Sequence, residues 1–283
     1  ERYNYYDDNT PATTEADHIW IPSLFVQDEY SFATKHSFLV GMRYDYDQRH
    51  GNILTPRAAY KWKISDHDIF RLNAGTGFRV VNLFTEDHAA LTGAREVVIA
   101  EELKPERSVN VNLNYLKKIY SDNGTFIGID ASAFYTRFSN VILPDYETNP
   151  NQIIYDNLDG KSVSQGFSAN LDVAFPSSLK IMVGATWQDV SNTENGVTQQ
   201  QILTESITAI WNLSYTFRSL KLTADYTGNL YGPMRLPLLG ELDPRQAYSP
   251  TWSIQNIQFT YKGLHNFEVY GGIKNLLDWT PNR

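Results

Sequence analysis

Residues 70–108, FRLNAGTGFRVVNLFTEDHAALTGAREVVIAEELKPERS, carry the reading that decides the fold. A β-strand rises through Gly75-Thr76-Gly77 to Phe78-Arg79, and a second strand starts after Leu103-Lys104-Pro105-Glu106. Between them runs a long excursion in which VVNLFTEDHAALTGAR has room for a short helix. Loops of this length without regular structure of their own are uncommon in compact domains and tend to carry function. The rest of the chain decides what kind of sheet such a loop belongs to.

Moving outward from this stretch, the chain alternates apolar and polar residues with a period of two, the mark of a strand with one greasy face. Phe38, Val40, Met42, Tyr44 and Tyr46 oppose Ser37, Gly41, Arg43 and Asp45. Val109, Val111 and Leu113 oppose Asn110, Asn112 and Asn114; Phe167, Ala169, Leu171 and Val173 oppose Ser168, Asn170 and Asp172. Leu179 to Trp187, Ile207 to Phe217 and Leu220 to Tyr226 repeat the pattern, with Lys221 and Thr223 on the polar side. With a first strand over Ile19–Tyr30, segments near Pro56–Ile64 and His67–Thr76, another over Ile127–Tyr135 and the last around Trp252–Tyr261 and Phe267–Ile273, about twelve strands are expected. No amphipathic helix of ordinary length is expected.

The connections fall into two classes that alternate down the chain. Phe32–Lys35, Ser65-Asp66, Ser121–Gly124, Pro176–Ser178, Arg218-Ser219 and Lys262–His265 are short. Asp47–Asn52, Val80–Lys104, Leu143–Leu158, Val190–Glu205 and Asn229–Pro250 are longer. In an antiparallel up-and-down sheet, alternate connections share an end, so the long loops gather at one rim and the tight turns at the other. Outer-membrane barrels have short periplasmic turns and longer external loops, with aromatic girdles where strands meet the two interfaces. The fold class is therefore all-β: an antiparallel up-and-down transmembrane β-barrel.

Composition agrees. Mean hydropathy is negative and no apolar run reaches the ~18 residues of a membrane helix, but barrel strands show an apolar side chain only at every second position. Cysteine is absent, which removes thiolate metal sites and disulfides and suits passage through an oxidising compartment. A net charge of -8 without any basic run argues against a nucleic-acid partner. The six histidines are scattered, and no Gly-x-Ser-x-Gly, Walker or dinucleotide motif occurs, so no enzymatic activity and no resident cofactor or metal is expected.

The pair Gly77-Phe78-Arg79 and Leu103-Lys104-Pro105-Glu106 resembles the motifs that TonB-dependent outer-membrane receptors carry around an external barrel loop, although Val80-Val81 stands where the family usually continues with a small residue and Pro. Further segments resemble the same family. They are Val26-Gln27-Asp28-Glu29, Phe134-Tyr135-Thr136-Arg137-Phe138-Ser139-Asn140-Val141-Ile142, and Asn157-Leu158-Asp159-Gly160-Lys161 with Gln165-Gly166-Phe167. Nearer the end, Tyr231-Gly232-Pro233-Met234-Arg235-Leu236-Pro237 with Asp243-Pro244-Arg245 looks like the Bacteroidetes branch, and Ile273-Lys274-Asn275-Leu276-Leu277-Asp278 resembles the segment before a final strand. The resemblance implies that residues 1–283 supply the C-terminal portion of the barrel, about twelve strands of the roughly 22 in the large plugged barrels. The plug, the early strands and the final strand would lie outside them.

It also implies active import of a scarce, bulky nutrient such as a ferric siderophore, haem or cobalamin. The implied partners are outer-membrane lipid, the TonB complex acting through the plug, the external metal chelate and, on the external rim, a surface lipoprotein. A passive substrate-specific channel is the alternative, and a surface-scaffold barrel a third reading. Ligand candidates sit in the long loops: Arg79, His88 and Arg95 in the first, and Tyr231, Met234, Arg235, Arg245 and Tyr248 in the last. His88 could ligate haem iron, as a loop histidine does in haem receptors of that family; a solvated loop histidine is the plainer alternative. The last loop offers stacking surfaces and charge, or else is a Pro-braced lid.

Overall fold

The computed structural model describes residues 2–5, 17–81, 95–146, 148–238 and 244–280. A two-stranded ribbon, β1 (Arg2–Tyr5) and β2 (Asp17–Trp20), precedes the main wall. The expected first strand, Ile19–Tyr30, is divided: β2 ends at Trp20, and β3 (Ser23–Phe32) begins beyond Ile21-Pro22. Proline has no N–H for a ladder, and here the Pro22 carbonyl instead accepts a hydrogen bond from the Tyr46 amide at 3.0 Å.

The wall continues as β4 (His36–Asp47), β5 (Gly51–Lys63) and β6 (Asp68–Arg79). A short β7 (Glu96–Ile99) lies in the first long loop, followed by β8 (Glu106–Tyr120) and β9 (Phe126–Asn140). The next long loop holds β10 (Ile142–Asp145) and β11 (Gln152–Asn157); β12 (Gly160–Ala174) and β13 (Leu179–Glu194) return to the wall. Then come the short β14 (Val197–Gln200), β15 (Ile207–Phe217), β16 (Leu222–Tyr231), β17 (Trp252–Leu264) and β18 (Phe267–Ile273). The ladder runs β3-β4-β5-β6-β8-β9-β12-β13-β15-β16-β17-β18, so the expected twelve strands are present, with β14 hung on β13. All neighbours in this path are antiparallel. It is an up-and-down wall.

Register puts the alternating residues on common faces. Ile129, Leu171, Val183 and Trp211 pair in one row, and Ile181, Leu213 and Tyr226 in another, on the apolar face. The opposite face carries Asn114, Ser132, Ser168, Thr186 and Thr208 in a single row. That face is knit by side-chain hydrogen bonds: Arg71 donates to the Asn114 Oδ1, and the Asn114 amide donates to Asp130 and Ser132. The wall has almost no buried core. Leu72, Leu113, Phe167, Val183, Leu213 and Phe259 all remain exposed, a continuous apolar surface far beyond that of a soluble monomer.

Two expectations about turns are corrected. The connection after β4 spans only residues 48–50, as tight as the turns of the opposite rim, because the buried Asp47 carboxylate accepts the amides of Arg49 and His50 and closes the chain at once. Lys221 does not sit on the polar face of a strand: it ends a 3-10 turn over Arg218–Leu220 in left-handed conformation at φ 50°, its amide donating to the Arg218 carbonyl. Among the described residues that turn is the only helical segment. The helix allowed for in residues 80–95 falls largely on 82–94, outside the described residues.

Leu213→Arg or Val183→Arg, both on the apolar face and about 40% exposed (38% and 41%), should cost ~2–4 kcal/mol at mid-bilayer depth, measured by urea unfolding in vesicles. Thr223→Ala on the polar face should change little, since its hydroxyl meets only Thr216 at 3.1 Å.

Candidate functional site at the long-loop rim

The rim begins with the two motifs of the first long loop, which form one clamp. Arg79 ends β6, Glu106 begins β8, and the two are register partners. The Arg79 Nε donates to Glu106 Oε2 at 2.8 Å, while Oε1 accepts the Ile142 amide at 2.9 Å. Glu106 is only 5% exposed. Two asparagines complete the grip. Asn140 donates its side-chain amide to the carbonyls of Lys104 and Pro105, and Asn157 Oδ1 accepts the Lys104 amide at 2.8 Å. Asn157 also donates to Glu101 and to the Glu102 carbonyl. Gly160 then lets β12 pass beneath β13, since a Cβ there would stand 1.9 Å from the Thr193 carbonyl oxygen.

Above the clamp sits a cap. β10 and β11 form a hairpin, and β7 joins β11 in parallel, Glu96 opposite Gln152 and Ile99 opposite Tyr155. The first two long loops are thus one body. Ile142, Ile153 and Tyr155 are buried in it against Val81, Val97, Leu103 and Tyr146. Arg95 lies over the Tyr146 ring, 5.8 Å from its centroid. A crevice of about 450 Å³ separates cap from wall, with Arg79, Glu106, Phe138, Ile142, Pro144 and Gln201 among its lining.

The second pair of long loops makes the other half of the rim. β13 runs past the wall to Glu194 and returns as β14 through Asn195-Gly196, both at positive φ. Asn-Gly with both φ positive is the preferred two-residue hairpin turn. Residues 234–236 bridge to 202–205 on one side and to 247–249 on the other. Arg235 donates to the Gln200 carbonyl, and its own carbonyl accepts the Leu203 amide at 2.8 Å. The Met234 amide donates to Ser249 Oγ, and Arg245 donates to the Pro237 carbonyl. Tyr248 bridges Arg235 through the backbone and leaves its side chain 47% exposed. On the polar face below, Tyr231 stacks on Trp252 at 4.0 Å and Trp252 on Trp279 at 4.4 Å.

Of the residues singled out from sequence, Met234, Arg235 and Tyr248 therefore meet in one braced loop pair, with Tyr231 below and Arg245 within the same loop. Arg79 and Arg95 belong to the clamp and cap. His88 lies outside the described residues. Sequence reading missed Glu106, Asn140 and Asn157 as a unit, though each stands inside a quoted motif, and it missed Trp252 and Trp279. Asn195-Gly196 was a legible hairpin signal. Among the described residues no three His, Asp or Glu side chains converge as a metal site.

Removing the clamp's cation with Arg79→Ala should cost about 1–3 kcal/mol, because a buried carboxylate oxygen then loses its partner. Amide hydrogen exchange should report it at Ile142. The Glu101 carboxyl is held below the ordinary glutamate range, chiefly by the hydrogen bond from Asn157. A depressed acid stabilises above its unfolded value and loses that contribution as pH falls through the folded value. Protection of the Lys104 amide should accordingly hold from neutral pH down to the ordinary glutamate range and fall off below it; protection lost first on raising the pH would contradict the contact.

Residues 1–276 match the family described as TonB dependent receptor-like, beta-barrel. A stretch of 120 residues, 42% of this chain, is 28% identical to the iron-regulated outer membrane virulence protein of Vibrio cholerae serotype O1, where it makes up 18% of the length. Among solved structures, the siderophore receptor PirA of Acinetobacter baumannii superposes with TM-score 0.70 at 16% identity, over 96% of this chain and 43% of that one. A mutant (Q482A) of the ferric enterobactin receptor PfeA of Pseudomonas aeruginosa, in complex with enterobactin, gives 0.70 at 18%, over 94% and 41%. The FrpB iron transporter of Neisseria meningitidis gives 0.68 at 16%, over 92% and 41%. The chain thus spans about two fifths of the solved receptors it matches. A family match over nearly the whole chain, the twelve-strand ladder and the segregated loops make this chain a member of the TonB-dependent receptor-like β-barrel family, lodged in the bacterial outer membrane.

Proposed function

We propose that this chain forms the C-terminal part of the barrel of a receptor that takes up a bulky metal chelate, a ferric siderophore before haem or cobalamin, with energy delivered through TonB. The observation that carries this reading is the rim: long loops braced on one another, presenting Met234, Arg235, Tyr248 and Arg245 above a polar inner face that bears Tyr231. Such a surface offers an anionic, aromatic chelate both charge and stacking area. The solved neighbours add support, since two are siderophore receptors, one of them crystallised with enterobactin, and the curated relative is iron-regulated.

In this reading the plug, with its TonB-contacting segment, belongs to the remainder of the polypeptide, as do the earlier strands and the final one. The apolar face of the wall meets lipid, and a surface lipoprotein could dock on the rim. No bond is made or broken in the ligand, so the receptor is not an enzyme. Arg79 and Arg95 contribute by fixing the cap, and His88 would matter only for haem.

Deletion of the full-length gene should abolish growth on a ferric siderophore as the sole iron source, and complementation should restore it only when TonB is intact. Tyr248→Ala should weaken ferric-siderophore binding about tenfold, the effect of losing one aromatic anchor, without changing assembly. Uptake that persists without TonB would point instead to a passive channel.

A further inference from the structure

Two aspartates at the long-loop end of β4 are buried with half of each carboxylate unused. Asp45 and Asp47 stand two residues apart on the strand, so they share its inner face, and neither exposes any surface. Among the described residues, the hydrogen bonds to each fall on Oδ1. Asp45 Oδ1 accepts from Ser23 Oγ at 2.5 Å and from both Nε and Nη2 of Arg43, at 2.9 and 2.7 Å. Asp47 Oδ1 accepts the Arg49 and His50 amides at 2.8 and 3.0 Å. The Oδ2 atoms of both are buried and have no hydrogen-bond partner.

That division is unusual. A guanidinium facing a carboxylate commonly takes both oxygens, one per nitrogen, whereas Arg43 sets two nitrogens on one oxygen and leaves the other. A buried carboxylate oxygen without a donor is costly, and the neighbouring strands supply none. By register Asp45 lies between Ser23, already engaged on Oδ1, and Ile53; Asp47 lies opposite Gly51, where a Cβ would meet nothing within 4 Å. The other buried polar atoms without partners, on Thr76, Arg95, Asn192 and Asn212, each stand on a different segment. Two carboxylates against the single Arg43 guanidinium also leave one negative charge in a buried place, which calls for a cation.

We infer that Asp45 Oδ2 and Asp47 Oδ2 bind a calcium ion from the external medium. Residues two apart on a strand are separated by about 6.5 Å, and calcium bonds oxygen at about 2.3–2.6 Å, so one ion spans the two side chains. Two carboxylates suffice for a calcium site that takes its remaining oxygens from hydroxyls, carbonyls and water. The ion pins the turn at residues 48–50 to the start of β3, where Ser23 holds the same carboxylate. The assignment rests on the family membership that puts this end of the wall outside, not on the identity of the imported ligand.

The test uses the full-length receptor in phosphatidylcholine vesicles, stripped with EGTA and titrated with calcium chloride, read by calorimetry and amide hydrogen exchange. Calcium should bind with a Kd in the range of about 10⁻⁴–10⁻³ M usual for extracellular sites. At ten times that concentration, exchange of the Arg49 and His50 amides should slow about tenfold, while the Gly124 amide, in a turn of the opposite rim, should not respond. Asp47→Asn keeps an Oδ1 for the two amides but puts an NH2 in place of Oδ2, so calcium affinity should fall on the order of tenfold or more. Asp45→Asn should act alike, and Asp172→Asn, on the inner face near the tight-turn end, should bind calcium as wild type does. Should the β4 variants fail to insert, wild-type exchange still decides: Arg49 and His50 amides indifferent to calcium overturn the site. Calcium affinity unchanged in an inserted Asp47→Asn overturns it too, and magnesium binding as tightly as calcium would make it a general cation site and overturn the calcium assignment. Failure of siderophore uptake with calcium binding intact would sink the import reading and leave this one standing.

Discussion

A strand crossing a bilayer can satisfy its N–H and C=O groups only through neighbouring strands, and the architecture follows from that. Twelve strands hold one another in an unbroken antiparallel path, which leaves side chains to be sorted by face rather than by depth in a core. The interior row of Asn, Ser and Thr and the outward spread of Leu, Val and aromatic rings are consequences of that sorting. So is the near absence of buried residues in the wall: the ladder's cohesion comes from backbone pairing, and packing in the ordinary sense resumes only where the chain leaves it.

At the rim the demand changes, because loops must find partners outside the ladder. The solution is concentrated in four side chains. Arg79 and Glu106 close the base of the first long loop, while Asn140 and Asn157 hold the backbone of Lys104 and Pro105 from the second. The motifs scattered through the sequence at Phe78-Arg79, Leu103–Glu106, Ser139-Asn140 and Asn157–Gly160 are thus one contact seen from four places. The distance between them in sequence hides a shared physical role: they fix the loops that a ligand would meet.

Period-two alternation made the wall legible because it reports which face a side chain takes; the first strand differs by the break at Pro22, and the strand expected from Leu220 begins at Leu222, past the 3-10 turn. Alternation could not find β7, β10, β11 or β14. These are four to six residues long, lie off the wall, and owe their existence to partners up to 56 residues away. Turn length misled at residues 48–50 because Asp47 closes the chain with its side chain, which residue counts do not register. The Tyr231–Trp252–Trp279 stack was illegible for a different reason: Trp279 lies beyond β18, where local chain reversal at Asn275 sets its position. Of the candidate ligand residues, Arg95, Met234, Arg235, Arg245 and Tyr248 lie in long loops, Arg79 and Tyr231 end wall strands, and His88 falls outside the described residues; only structure shows which of them already hold the loops together.

The parallel pairing of β7 with β11 has a kinetic consequence. Nearly every other pairing joins strands that follow closely along the path, so hairpin after hairpin can form with short closures. Joining Glu96 to Gln152 requires closing a far longer span, with a larger entropic cost before any contact repays it. That cost falls sharply once β8 and β9 are in place, since they bring both loop bases to the same edge. The cap is therefore the last part of this rim to assemble and the first to come apart, so the surface presented to the outside is set only after the wall beneath it is complete.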